Sequence, residues 1–190
     1  MRLKILEGDI MKRKLLIIII LGLCLCSVAS ALPVITASIS GNASGSRVQQ
    51  YALNYVGGAG AESVSDVRQT ISQSVTGSPG MVRSSAFNVA DSLYGETRIS
   101  QVIQSRADGT HLIQEQANIA RISSGTGTSV TQQLIAAGNT ANTPGTLLNQ
   151  IQVNKVYWMN DATGSALQET IAQGTASFIE RIQQNKEFWI

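Results

Sequence analysis

The sequence THLIQEQANIA, residues 110–120, decides the fold that this chain adopts. Its patterned residues lie at even offsets from the first one, at Thr110, Leu112, Gln114, Asn118 and Ala120. Side chains of a β-strand alternate between the two faces of a sheet, so residues at even offsets share one face. The segment therefore predicts a strand with one ordered face and one variable face.

The same pattern recurs along most of the chain. Eight copies follow one another at spacings of 13 to 19 residues, and turn signals rich in Gly and Pro separate them. The second patterned position is aliphatic in every copy, and the third is Gln in six of the eight. The copies begin at Ser46, Ser65, Gly80, Thr97, Thr110, Thr128, Thr146 and Ser165.

Amide side chains occupy two of the shared columns. Stacked strands lie about 4.8 Å apart, a spacing at which each amide donates to one neighbour and accepts from the other. A buried amide in such a ladder costs little, because its polar atoms are satisfied. We expect an inward assembly ladder formed by Gln50, Gln69, Gln101, Gln114, Gln132, Gln150, Asn54, Asn88, Asn118 and Asn154.

These columns predict an all-β fold, a β-solenoid or stacked-strand repeat of about 18 residues. Two segments also fit a helical spacing, residues 112–120 and residues 165–185. A mixed fold with a C-terminal helical cap is therefore one alternative, and a mainly helical or disordered chain is another. Short apolar patterns do not decide between these alternatives.

The chain divides into four parts. Residues 1–31 have the order of a secretory signal peptide, with a basic run, an apolar stretch of 12 residues and the small residues Ala29-Ser30-Ala31. Residues 1–10 precede the basic run, and Met11 is an alternative start. Residues 32–45 are interpreted as a flexible or capping segment, 46–175 as the eight-copy repeat and 176–190 as a C-terminal cap.

Composition limits the function classes. Residues 32–190 contain no cysteine and hold nine basic against ten acidic residues. The basic excess of the whole chain lies in the leader, so nothing favours nucleic acid or an anionic membrane as a partner. We expect an exported, extracellular protein without disulfides and without stable membrane insertion after leader removal.

Residues that carry chemistry are scarce. The single histidine, His111, lies on the variable face, and the acidic residues are scattered, so we expect no enzyme activity, no metal site and no cofactor. Asn42 begins the one glycosylation sequon, Asn42-Ala-Ser44. Two aromatic pairs, Tyr157-Trp158 and Phe188-Trp189, are interpreted as end-cap packing or as a contact for the next subunit.

Repeats with Ser or Thr, an aliphatic residue, Gln and Asn at alternate positions, closed by Gly-rich turns, resemble the curlin repeats of curli-type extracellular fibres. The resemblance covers residues 46–175 and is closest over residues 114–120. A curlin unit is longer than 18 residues and contains a strand, a turn and a second strand.

The resemblance implies a secreted subunit of an amyloid-like fibre in an extracellular matrix or biofilm. Its main partner would be the chain itself, in a homopolymer on the cell surface, together with a nucleator or a cell-surface anchor. The alternative is a monomeric cell-surface β-solenoid whose edges are capped and which binds a polymer or a surface.

Overall fold

The computed structural model of the chain is an all-β solenoid with parallel strands, so the predicted fold class is confirmed. It describes residues 15–23, 34–58, 64–140 and 144–190. Within these ranges there is no helix, and hence none that could span a membrane. The strands are β1 (Leu15–Leu23), β2 (Val34–Ser44), β3 (Arg47–Val56), β4 (Asp66–Tyr94), β5 (Arg98–Ser124), β6 (Thr128–Asn139), β7 (Leu147–Trp158), β8 (Gly164–Thr175) and β9 (Phe178–Trp189).

The strands pack as two parallel layers. The long strands β4 and β5 pass through both layers, and a register shift between Gly77 and Met81 marks the corner in β4. Layer one consists of β2, the first half of β4, the first half of β5, β6 and β8. Layer two consists of β3, the second half of β4, the second half of β5, β7 and β9, with β1 paired outside β3.

One turn of the solenoid takes two copies of the sequence repeat. Stacked glutamines of layer one, such as Gln69 and Gln101, are 32 residues apart, and Gln101 and Gln132 are 31 apart. Each turn is therefore a strand, a corner and a second strand, and the five turns run from β2–β3 to β8–β9. Consecutive copies of the 18-residue pattern alternate between the two layers.

The interior between the layers alternates apolar strips with rows of amides. Three apolar clusters run along the solenoid, represented by Ile99 at one side, Ile103 in the middle and Leu112 at the other side, each with no exposed surface. The amide rows separate these clusters, because Gln101 lies between Ile99 and Ile103 on the same face of β5. A strand with aliphatic and amide residues at every second position produces this striped section.

The C-terminal segment differs from the helical alternative. Residues 165–175 lie in β8 and residues 178–185 in β9, and these strands stack on β6 and β7. Leu167 and Ile182, two apolar residues of this segment, point outward and are 68% and 40% exposed. Main-chain pairing with the preceding turn therefore prevails over the weak helical spacing.

The eighth copy of the repeat is shifted by one residue from the predicted register. Gln168 pairs with Gln132, whereas the sequence pattern had aligned Glu169 with it. A slip of one residue exchanges the two faces of a strand, which explains why Leu167 is outward and Ala166 partly buried inside. Gln168 thereby extends the amide row of layer one.

The segment before the first predicted copy is also a strand. Within 32–45, which was expected to be flexible or capping, residues 34–44 form β2 and pair with β4 over eleven positions. The copy was missed because Ala37 occupies the Gln position opposite Gln69. Of the predicted signal peptide, residues 15–23 form β1 on the edge of β3, and the rest lies outside the described residues.

A glycine stack at the corner after β5 limits substitution. Gly125 has φ +113°, and a Cβ there would lie 2.5 Å from the Cα of Gly95 in the turn before. Gly145 has φ +86° with no atom within 4 Å of the position of a Cβ. Gly125→Ala is expected to lower the free energy of unfolding by more than Gly145→Ala, which carries only the backbone strain of about 1–2 kcal/mol. Chemical denaturation of both variants measures this, and equal losses would contradict the stacked corner.

Candidate assembly interface

An asparagine ladder runs through layer two from the first turn to the last. Asn54 donates to Asn88 at 3.0 Å, Asn88 donates to Asn118 at 3.0 Å, and Asn118 donates to Asn154 at 3.1 Å. A fifth member, Asn185 in β9, accepts from Asn154 at 2.9 Å. The four predicted asparagines are fully buried and joined in one row. The pattern missed Asn185, because β9 lay beyond the last recognised copy.

The predicted glutamines form two rows, one in each layer. In layer one Gln132 donates to Gln101 at 2.8 Å, and Gln101 donates to Gln69 at 2.7 Å. In layer two Gln150 donates to Gln114 at 2.8 Å. Gln50 lies in this second row, separated from Gln114 by Ser84. All six glutamines are buried, at most 2% exposed, but they do not form the single column that the sequence pattern suggested.

A third glutamine row lies in the last three turns of layer two. Gln152 donates to Gln116 at 2.8 Å, and Gln183 donates to Gln152 at 2.9 Å. The corresponding positions in the earlier turns are Ala52 and Ala86. The repeat pattern does not reveal this row, because the sixth position after the start of each copy is not Gln in every copy. The even offset of this position nevertheless predicts that its side chain points inward.

The amides also bind the two layers to each other. Asn118 donates to the backbone carbonyl of Gln133 in layer one at 3.1 Å, besides its bond to Asn154. Gln101 in layer one donates to the carbonyl of Ile119 in layer two at 2.9 Å. Several buried amides, such as Asn118, Gln101 and Gln132, thus use one hydrogen along the stack and one across it. This satisfies groups whose burial without partners would be unfavourable by about 1–3 kcal/mol each.

Hydroxyls in the first column of the repeat hold the corners. Thr97, Thr110 and Thr128 donate to backbone carbonyls in the preceding turn, at distances of 2.8 to 3.0 Å. Thr97 and Thr128 are buried, at 2% and 1% exposed. The sequence pattern identified this column but gave it no role. In the structure its hydroxyls satisfy backbone carbonyls at the corners, which have no partner in a neighbouring strand.

The first turn ends in amide groups without partners. Among the described residues, both polar atoms of Gln50 and the Oδ1 atom of Asn54 are buried and have no hydrogen-bond partner. In β1 the residues in register with them are Ile18 and Gly22, which are residue types without side-chain hydrogen-bonding groups. The ladder of layer two is therefore open at this end.

The last turn has the complementary ends. No described strand pairs with the outer edges of β8 and β9, so their inward side chains face solvent. Asn185 donates one amide hydrogen to the carbonyl of Gln168 at 3.1 Å, which leaves its second hydrogen available. Arg181 occupies the Gln column and donates through Nε to Gln150 at 2.8 Å. A donor-rich edge thus terminates the C-terminal turn.

The aromatic pairs stack along the same axis. Trp158 and Trp189 are 5.3 Å apart at an interplanar angle of 18°, and Tyr157 and Phe188 are 4.8 Å apart at 12°. Trp158 is 1% exposed and Trp189 is 62% exposed. The second ring of the inward pair therefore presents a free face at the C-terminal end of the solenoid.

The described residues include no cluster of three or more His, Cys, Asp and Glu that could hold a metal ion. His111 is exposed, and Asn42 is an exposed outward residue of β2. Ion pairs lie on the outer surfaces, for example Arg68–Asp66 at 2.8 Å and Arg83–Glu115 at 3.0 Å. The hydrogen bonds that Arg68 donates to the Asp66 carboxylate raise the pKa of Arg68 above its ordinary value.

Comparison with protein-family models, with curated proteins and with solved structures finds no match to this chain.

The centre of the asparagine ladder is the sharpest test of the interior. Asn118→Asp is expected to lower the free energy of unfolding by at least about 2 kcal/mol, because a carboxylate cannot donate to Asn154 or to the carbonyls around it. Asn139→Asp is the matched control, because Asn139 is exposed and its Oδ1 atom accepts a hydrogen bond from Thr175, a role that a carboxylate oxygen keeps. Urea denaturation followed by circular dichroism gives both values, and equal stability of the two variants would refute the ladder.

Proposed function

We propose that this chain is a secreted structural subunit that assembles end to end into an amyloid-like extracellular fibre. The observation that carries the proposal is the asparagine ladder, which ends in an unpaired acceptor at Asn54 and an available donor at Asn185. A strand edge with unpaired groups templates the addition of another strand. A second copy of the chain supplies the strand of the right composition.

Continuing the internal register across a junction places β9 of one copy on β3 of the next. With Asn185 above Asn54, the Asn185 amide donates to the open Oδ1 atom. Arg181 then lies above Gln50, and its guanidinium has donors left for the open Gln50 oxygen. Ile179 falls above Val48, which extends the apolar strip of layer two. β8 meets β2 in the same way, with Ala166 above Ile35.

The junction requires a free edge on β3. In the full chain β1 pairs with this edge over nine positions. The leader assigned to residues 1–31 includes β1, so removal of the leader on export frees the edge of β3 before assembly outside the cell. This order keeps the open ladder covered in the precursor and exposes it in the exported chain.

The architecture agrees with the resemblance to curlin repeats at the level of a whole turn. One turn here is a strand, a corner and a second strand of 31 to 36 residues between stacked glutamines. A curlin unit is likewise longer than 18 residues and has a strand-turn-strand form. The resemblance supports the fibre proposal at this level, although the Gln and Asn columns of the two patterns are spaced differently.

A second candidate is a monomeric cell-surface solenoid that binds a polymer or a surface. The observation that favours it is the pair of charged inward residues in the last turn, Arg181 and Glu187. Natural edge strands use inward charges to prevent further pairing. Arg181 has a partner in the fibre junction, whereas Glu187 would meet Val56 and keeps only its contact with Trp158 at 3.2 Å. One of the two charges thus fits the fibre, and one slows its growth.

Assembly of the exported chain separates the two functions. Residues 32–190 are expected to convert from monomers into fibres that bind thioflavin, with a lag phase that seeds abolish. Thioflavin fluorescence and electron microscopy over time follow this conversion, and circular dichroism shows whether the strands are retained. Soluble monomers that persist at high concentration with a β-rich spectrum would overturn the fibre proposal in favour of the capped solenoid.

Cysteine pairing tests the register of the junction. Residues 32–190 contain no cysteine, so the double variant with Asn54→Cys and Asn185→Cys carries the only two thiols. Oxidation during assembly is expected to give a ladder of disulfide-linked oligomers, because stacked inward residues bring their Cβ atoms within bridging reach.

The control for this pair is Asn54→Cys with Lys186→Cys. Lys186 is an exposed neighbour of Asn185 that points to the opposite face of β9. Its thiol would lie outside the solenoid and is expected to give no ladder. Equal cross-linking of the two double variants would contradict the junction.

A further inference from the structure

The two outer faces of the solenoid differ in polarity. The outer face of layer one is dominated by hydroxyl, amide and charged residues, as in β4, where residues 68–76 carry Arg, Thr and Ser side chains at even positions. The outer face of layer two is richer in apolar residues over the second half of β5 and β7, where Glu115, Asn149 and Lys155 interrupt it. Its half-buried residues there include Ile113, Ala117, Ile119, Ile151 and Val153.

The apolar character of layer two extends to the first two turns. Tyr51 and Tyr55 are 38% and 39% exposed, and the Tyr51 ring lies 5.5 Å from that of Phe87. Leu53, Phe87, Ala117 and Val153 are in register as one column that crosses four turns. An outward apolar column that crosses four turns marks a candidate interaction surface.

The size of this face fits a partner of the same shape. Five stacked strands at about 4.8 Å and about ten residues at about 3.3 Å span roughly 24 by 33 Å. This gives about 800 Å² per copy, which is the usual contribution of one partner to a stable interface. The apolar column is present in every turn but the last. In a fibre it would therefore be interrupted by only one strand at each contact between successive copies.

We propose that the outer face of layer two binds the same face of a second copy, with a twofold axis parallel to the solenoid axis. This inference rests on the proposed fibre, because such an axis keeps the turns of both copies level and both stacks growing in one direction. The two sheets then pack face to face with a dry interface, as paired sheets do in cross-β assemblies.

The twofold axis brings complementary residues opposite each other. With the axis over the middle of the strands, Ile113 of one copy faces Ile119 of the other. Ile151 faces Val153 in the same way one turn later. In the last turn Glu180 of one copy faces Lys186 of the other, so that each pair of copies contributes two Glu–Lys ion pairs.

The carboxylate of Glu115 lies near the centre of this face. It is already neutralised within its own copy, because it accepts hydrogen bonds from Arg83 at 3.0 Å and from Ser85 at 2.9 Å.

The test compares Ile151→Lys with Ile135→Lys. Both residues are half-buried isoleucines on outer faces, but Ile151 lies in layer two and Ile135 in layer one. The chain is expressed from its full reading frame, and its N-terminus after purification is read by mass spectrometry. Wild-type fibres and Ile135→Lys fibres are expected to have twice the mass per length of a single stack in electron microscopy. Ile151→Lys fibres are expected to fall to the single-stack value.

The readout separates this inference from the fibre itself. Wild-type fibres with the mass per length of one stack would overturn the paired faces and leave end-to-end assembly intact. If no fibres form, sedimentation equilibrium of the soluble protein decides. A dimer of the wild type and of Ile135→Lys that Ile151→Lys loses supports the paired faces, and a wild-type monomer overturns them. A wild-type monomer that adsorbs to apolar beads, with adsorption lost in Ile151→Lys, would instead assign the face to a foreign surface.

Discussion

A primary amide buried between two sheets needs partners for two hydrogens and one carbonyl oxygen, and the whole solenoid is arranged around this need. In Asn118 one hydrogen follows the stack to Asn154, the other crosses to the opposite layer, and the oxygen accepts from Asn88. The partner along the stack has to lie one strand away, so it has to be another amide in register. Regular spacing of amides in the sequence and the stacking of strands in register both follow from this single constraint.

The apolar strips and the amide rows have different tasks. The clusters around Ile99, Ile103 and Leu112 remove surface from water but tolerate slippage, because one aliphatic residue substitutes for another. The amides add little net stability, since they exchange bonds to water for bonds to protein. They specify the register instead, because a slip of one residue would turn the amides of that strand to the outer face and leave the buried amides of the neighbouring strands without partners. A solenoid built this way transfers its own register to any strand that joins its end.

Much of this architecture could be predicted from the sequence, because the period of two and the recurring Gln are features of the sequence itself. All ten ladder residues are inward and buried, as the columns implied. The division into two layers could not be predicted, since both layers carry the same pattern in alternate copies. Nor could the role of β2 and β9 be recognised, because Ala37 and Arg181 replace the diagnostic Gln in the two outermost turns. Terminal turns are less constrained by neighbours, so their sequences depart furthest from the repeat.

The direction of the ladders gives the stack a further property. In the asparagine row donation runs from the first turn toward the last, from Asn54 to Asn185. In the glutamine row of layer one it runs the opposite way, from Gln168 back to Gln69. The glutamine rows of layer two run the same way as the row of layer one, from Gln150 to Gln114 and from Gln183 through Gln152 to Gln116. Only the asparagine row opposes them, so the two ends of the stack are chemically distinct, with an acceptor at Asn54 and a donor at Asn185. A copy that joins the stack therefore meets a different hydrogen-bonding group at each end, which gives any such assembly a direction.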